Sequence, residues 1–522
     1  MERRLAFLLA LLFTEYVSAM IYRFFSVLFT AVFAFTVNAV AGEAGPRIFA
    51  SDQTAMIEGA EVAYRAEMRE FTIEDGEGRE ALRLFASSYM RTDVENQTER
   101  PVMFVFNGGP IAAAFGLHME WGPKQPAGRA QTRYEEGGER AFGFIDNDNS
   151  LLDVADLVFF DPADTGFSRI TREESRNYFY SVDGDAETLV QLIEAWTRLH
   201  GRERSPLFLL GESYGSIRQV VAGAKLREKG VHLNGHIIFG DSIFLMETSR
   251  RSHNIISTAV SLPVLALAAA YHDKADMRGK DVWGFLDEVY DFAMSEYLLA
   301  LAKGYSASQE EREETARRLE AYTGIPADYY LANGLAIAKH VFNKKLIPGK
   351  ELNANDLREA ETPAADQDHL RAEAYAFEAL ALQHYMRDVL GVSLPDTEYR
   401  LFASDSFSRW EWGQGCSDYL APAGLCNKEW GNRTPFVDYD WPDQLKAAFS
   451  DPAFRVMIVS GIYDGLSSVG THRYLKAQLG FPEARFDLYE YEAGHAAAAD
   501  RKVRPKIKED ILEFLDDALE AQ

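Results

Sequence analysis

Five short apolar runs punctuate this chain, and each stops at or just before Gly or Pro. They are residues 102–106, ahead of Asn107-Gly108-Gly109-Pro110; 157–160, ahead of Asp161-Pro162; 207–210, ahead of Gly211; 236–239, ahead of Gly240; and 455–459, ahead of Ser460-Gly461. Continuous apolar runs of this length predict strands buried on both faces, as in a parallel sheet. Amphipathic stretches at 186–199 and 216–229 lie between them and predict crossover helices, which makes the fold α/β. Upstream, residues 61–73 and 81–90 flank Asp75-Gly76-Glu77-Gly78 and predict a β-hairpin. The strand signal fades from about 246 to 443, where helical periodicity dominates at 281–303, 309–322 and 366–390. This predicts an α/β core formed by residues 43–245 and 444–522, with a mainly helical cap, 246–443, inserted between the two parts.

The first 41 residues follow another pattern. Arg3 and Arg4 precede an apolar run at 5–13, Arg23 precedes a second at 24–37, and Ala39-Val40-Ala41 supplies an A-x-A site before Gly42. A charged segment, an apolar segment and small residues in this order predict a signal peptide over 1–41 and an exported protein, periplasmic or secreted. The duplication leaves Met20 as an alternative start, and a membrane anchor is the competing reading, although each run is short for a bilayer span. The chain has two cysteines, Cys416 and Cys426. In an oxidising compartment they predict a local disulfide, with two buried free thiols as the alternative. The formal charge of −26, from 54 basic and 80 acidic side chains, repels a phosphate backbone and excludes nucleic acid as a partner.

Gly211-Glu212-Ser213-Tyr214-Gly215 fits G-x-S-x-G. It stands between a strand-like run and a helix-like run, the setting of a nucleophile elbow. A serine hydroxyl needs a base and an orienting acid, which in this arrangement follow in the order acid, then histidine. Two histidines lie after the last of the five runs. His472 reads as a helix-surface residue, whereas His495 sits in the small-residue loop Ala493-Gly494-His495-Ala496, just after the run 486–491. His495 is the expected base. Asp464, in Gly461-Ile462-Tyr463-Asp464-Gly465, is the expected acid, because its competitor Asp487 falls within or beside a strand. No metal-ligand cluster is visible, and neither metal nor cofactor is expected.

Taken in order, Asn107-Gly108-Gly109-Pro110, Asp161-Pro162 with Thr165-Gly166-Phe167-Ser168, Gly211-Glu212-Ser213-Tyr214-Gly215, Ser460-Gly461 with Asp464, and Ala493-Gly494-His495 resemble the serine carboxypeptidase family. The resemblance implies an α/β-hydrolase fold with a mostly parallel central sheet. It implies a peptidase that releases C-terminal residues through an acyl-enzyme on Ser213. It makes Gly109 and the backbone N–H of Tyr214 the oxyanion donors. It assigns Asn107, Glu120 and Glu212 to the terminal carboxylate of a peptide substrate, Glu120 only if one residue is deleted after Pro110. Carboxyl groups can bind a carboxylate only when they hold a proton to donate, which burial and like charge favour. Three features depart from the family. Ile111-Ala112-Ala113-Ala114 replaces the usual glycine and hydroxyl or thiol residues, alanines follow His495, and Val105 stands where an aromatic is usual. An esterase or acyltransferase on the same scaffold, and an inactive peptide-binding homologue, remain the alternatives.

Overall fold

In the computed structural model the described residues are 45–127, 133–134, 140–244, 254–362, 377, 379–395, 397–403, 409–412, 415–416, 437–438 and 441–520. The leader over 1–41 lies outside them, and so does Cys426, on which the Cys416–Cys426 pairing depends. Among the described residues no helix is long and apolar enough to cross a membrane.

The chain from Ile48 onward opens with three long antiparallel strands, β1 (Ile48–Ile57), β2 (Ala60–Glu74) and β3 (Glu80–Arg91). The hairpin of β2 and β3 is the one that the Asp75-Gly76-Glu77-Gly78 turn predicts. Strand β1 escaped prediction because it is an edge strand, exposed or half-exposed at most positions, and carries no continuous apolar run. Strand β4 (Val102–Phe106) follows, then helix α1 (Phe115–Trp121) and β5 (Asp156–Phe160). Helix α2 (Val182–His200) leads to β6 (Leu207–Glu212), and α3 (Gly215–Glu228) leads to β7 (Gly235–Phe239).

Between β7 and the next sheet strand lies the long intervening segment. It holds α4 (Ile255–Tyr271), α5 (Val282–Phe292), α6 (Gln309–Thr323), α7 (Lys339–Lys345) and a small antiparallel hairpin of β8 (Glu351–Asn353) and β9 (Asp356–Glu361). Helices stand where they are expected at 281–303 and 309–322, while most of the expected helix 366–390 lies outside the described residues; the hairpin is unexpected, and it matters for the site. The sheet resumes with β10 (Arg455–Gly461), α8 (Val469–Leu479) and β11 (Phe486–Tyr491), and α9 (Arg504–Glu520) follows.

The sheet order is β1-β2-β3-β5-β4-β6-β7-β10-β11. From β5 to β11 every neighbouring pair is parallel, whereas β3 meets β5 antiparallel. Every residue of β4, β5, β7 and β10 is buried, which is why their sequences read as unbroken apolar runs. One hydrophobic cluster contains Phe104, Trp196 and Leu209, and another contains Met103, Phe208 and Met457, so alternate strand residues serve different cores. A third cluster joins the intervening helices to Ile462, Tyr463 and Val469, just past β10. This is the α/β-hydrolase fold, and its parallel strands point their C-terminal ends the same way.

Leu209, in the middle of β6, is fully buried. Leu209→Ala is expected to cost about 3 kcal/mol in urea unfolding, through lost transfer energy and an unfilled cavity. A cost under about 1 kcal/mol would mean that β6 is not a central strand of the core.

Candidate active site

Open α/β sheets bind ligands at the carboxyl ends of their strands. Here Asn107 follows β4, Asp161 follows β5, Ser213 follows β6, Gly240 follows β7, Asp464 lies just past β10 and His495 just past β11. Ser213 sits at the turn between β6 and α3 with φ +58°, a left-handed conformation that L-residues avoid. Its N–H donates to Phe239 O at 2.8 Å, and Ser216 Oγ donates to its carbonyl at 2.7 Å. Crowding explains the glycines around it. A Cβ on Gly211 would come within 2.7 Å of Gly215 O, and a Cβ on Gly108 within 2.8 Å of Ser213 Cβ.

His495 and Asp464 meet directly: the Nδ1–Oδ2 distance is 2.7 Å. Asp464 is fully buried, and its other oxygen accepts from Leu466 N at 2.7 Å and Ser467 N at 3.0 Å. The imidazole stands over Gly240, where a Cβ would lie 2.8 Å from Nδ1. Gly240 follows Phe239, whose carbonyl holds Ser213, so the His495 ring stands beside the elbow. Burial works against an imidazolium here, but the carboxylates of Asp464 and then Glu212 outweigh it and hold His495 above the ordinary histidine value. For Asp464, burial pushes upward, yet the contact with His495 holds it below the usual aspartate value. An imidazole held by Nδ1 in this way leaves Nε2 for proton transfer.

The loop after β4, in which the sequence places an expected oxyanion donor, rests on the elbow. Gly109 has φ +116°, and a Cβ there would come within 2.8 Å of Ile111 N, so only glycine fits. Among the described residues no protein acceptor takes the N–H of Gly109 or of Tyr214, while those of Ala112, Ala113 and Ala114 are engaged. Ala112 N donates to Gly108 O, Ala113 N to Leu401 O, and Ala114 N to Asp161 Oδ1 at 2.8 Å. Main-chain bonds thus anchor the loop where the family has hydroxyl and thiol residues, and Ile111 packs into the core with Tyr214.

Asn107 Nδ2 donates to Glu212 Oε1 at 2.9 Å. Glu120 belongs with them: a Cβ on Gly116 would lie 3.5 Å from Asn107 Nδ2 and 3.9 Å from Glu120 Oε1. Of the three predicted carboxylate-binding residues, Asn107 and Glu212 are in contact beside Ser213, and Glu120 flanks Asn107 across Gly116. Burial pushes the Glu212 carboxyl above the usual glutamate value, against the pull of His495 and the Asn107 amide. Glu120 also lies within electrostatic reach of the buried Arg504 guanidinium.

Two further residues organise the site. Arg218, on α3, is fully buried; it donates to Asn107 O at 2.6 Å, Pro110 O at 2.8 Å and Asp185 Oδ2 at 2.7 Å. It fastens the oxyanion loop to the helix that begins at the elbow. Its sequence position gives no warning, because an arginine on an amphipathic helix normally faces solvent. Asp161 accepts from Ala114 N and, at 2.9 Å, from Tyr399 OH, and burial pushes its carboxyl up to about 6. The motif around Asp161 was visible in sequence; its bracing role was not.

One expectation is corrected. His472 is fully buried on α8, with Nδ1 2.5 Å from Ser460 Oγ, and is no surface residue. It shares a buried helix face with Leu475 and Leu479, at spacings of three and seven, so the helical period places it inward. Burial holds its pKa down at about 4. Asp487 sits near the start of β11, 3.7 Å from Arg455, at the strand end away from His495.

Arg218→Met removes two loop contacts and strips Asp185 of its cation. It is expected to lower stability by about 3 kcal/mol in urea unfolding. It should also slow hydrolysis of a simple ester by about tenfold or more, because the oxyanion donors lose their registry. A folded variant with the wild-type rate would contradict the bracing role.

No curated protein gives a match to this sequence. Among solved structures the chain is similar to a proline iminopeptidase from Mycobacterium smegmatis, at 12% identity over 87% of this chain and 100% of that one, with a TM-score of 0.34. It is also similar to an esterase from Pyrococcus furiosus, at 10% identity over 87% of this chain and 91% of that one, with a TM-score of 0.33. Scores of this size carry no argument about activity. The serine carboxypeptidase family model matches residues 83–238. That stretch holds the loop after β4, Glu120 and the elbow with Ser213, and over it the chain is similar to the serine carboxypeptidase family.

Proposed function

We propose that the protein is an exported serine-type carboxypeptidase acting on peptides with a free C-terminal carboxylate. In this reading Ser213 Oγ attacks the last peptide carbonyl while His495 Nε2 takes its proton, with Asp464 holding the ring. The oxyanion forms against the N–H groups of Gly109 and Tyr214. Collapse of the tetrahedral adduct breaks the C–N bond, and His495 returns the proton to the departing amino group. Water, deprotonated by His495, then attacks the acyl-enzyme and frees Ser213.

The observation that carries the exopeptidase reading is the 2.9 Å contact of Asn107 with Glu212 beside the elbow, with Glu120 close by. An esterase has no need of an amide and two carboxyl groups next to its nucleophile. A terminal carboxylate does need donors, and a glutamate whose pKa is raised keeps its proton to higher pH than an ordinary one.

The sign of the pH dependence follows. As pH rises through the Glu212 pKa, a donor becomes a repelling anion, so KM for a peptide is expected to climb. KM for the matching C-terminal amide, which lacks the carboxylate, is expected not to climb in that way. Glu212→Gln supplies a permanent donor and should flatten the peptide profile. Steady-state kinetics on the peptide and amide pair check this, and indistinguishable profiles, or a Gln variant with the wild-type profile, would move the assignment to an esterase or acyltransferase.

A further inference from the structure

A side chain of the segment between β7 and β10 reaches the turn that carries Asp464. Lys339, the half-buried first residue of α7, donates from Nζ to Leu466 O at 2.5 Å. Leu466 is the residue whose own N–H donates to Asp464 Oδ1. Lys339 thus grips the far side of the turn that holds the acid. Among the described residues no carboxylate makes an ion pair with it, and the carboxylate that acts on its charge is Asp464. Its charge in turn acts on His495 and on His472.

The same stretch of chain then clasps both loops. Between β8 and β9, Asn355 O accepts from His495 N at 2.6 Å, and Leu357 N donates to Tyr463 O at 3.0 Å. Contact is close enough to demand glycine: a Cβ on Gly494 would come within 2.5 Å of Asn355 O, and one on Gly465 within 2.8 Å of Ala354 O.

We infer that Lys339 is a positioning residue for the His495–Asp464 pair, bracing the Asp464 turn through the Leu466 carbonyl and opposing the charge of a protonated His495 with its own. The inference rests on the reading of Ser213 and His495 as nucleophile and base. The surroundings of His495 explain why a cation is useful. Asp464 and Glu212 both face it and favour its protonated form. His472, kept neutral by burial, adds no charge above about pH 4. Asp356, beside Gly494, is matched by Arg358 at 2.6 Å. Lys339 is the counterweight: it disfavours imidazolium and leaves more of the base neutral at a given pH. Burial lowers its ammonium to about 8 against the pull of Asp464, so it is charged through neutral pH.

The test is the rate of Ser213 modification by an uncharged fluorophosphonate as a function of pH, which needs no peptide substrate. In the wild type the rate should rise sigmoidally as His495 loses its proton. In Lys339→Met the midpoint should move up by about 0.5 pH unit or more. Lys339→Arg should restore it. Lys339→Gln, which keeps a donor for the Leu466 carbonyl but no charge, should share the shift seen with Met, and it serves as the uncharged variant if Met does not fold. An unshifted midpoint in a folded uncharged variant overturns the inference, whether or not the plateau rate falls. So does a selective loss of substrates with acidic side chains at an unshifted midpoint, which would make Lys339 a substrate contact. A wild type that reacts at another residue, or with no pH dependence, instead removes the Ser213–His495 reading on which the inference rests.

Discussion

The site is organised around one strained residue. Ser213 is held at φ +58°, a conformation that costs a non-glycine residue about 1–2 kcal/mol. The surroundings hold it there: β6 and α3 fix the chain on either side, Phe239 O takes its N–H, and glycines at 108 and 211 remove the side chains that would collide. In return the hydroxyl is raised above the strand ends, and the N–H of Tyr214 is left beside it. A relaxed turn would lose both at once.

Everything else at the site answers to that turn. Arg218 binds the oxyanion loop to the helix that the turn begins, and Asp161 pins the loop from the other side. Both are buried, where an unmatched polar group costs far more than at the surface, so each contact fixes geometry as well as adding stability. Asp464 and His495 arrive from two more strand ends and their loops are clasped by the β8–β9 hairpin. The long intervening segment is therefore a structural partner of those loops, with its own hydrophobic cluster continuing into Ile462 and Tyr463.

Sequence revealed what repeats or is chemically singular. The parallel strands were legible because burial on both faces leaves unbroken apolar runs. Ser213, Asp464 and His495 were legible because each stands in a glycine-containing turn soon after a strand-like stretch. Less visible was whatever depends on tertiary packing. The strands Glu351–Asn353 and Asp356–Glu361 are short and rich in charge, so no alternation marks them, and their importance lies in backbone contacts with Gly465 and Gly494. Arg218 and Lys339 look like ordinary helix cations until the fold turns one into the core and the other toward Asp464. His472 is polar, yet it stands in the stripe with Leu475 and Leu479, and packing of that stripe turns it inward.

The most direct test of the account is intact-mass spectrometry of the protein after treatment with an excess of a fluorophosphonate, followed by peptide mapping. The account predicts a single adduct, located on Ser213 and abolished in a folded Ser213→Ala variant. An adduct at any other residue, or none on a folded wild-type sample, would contradict it.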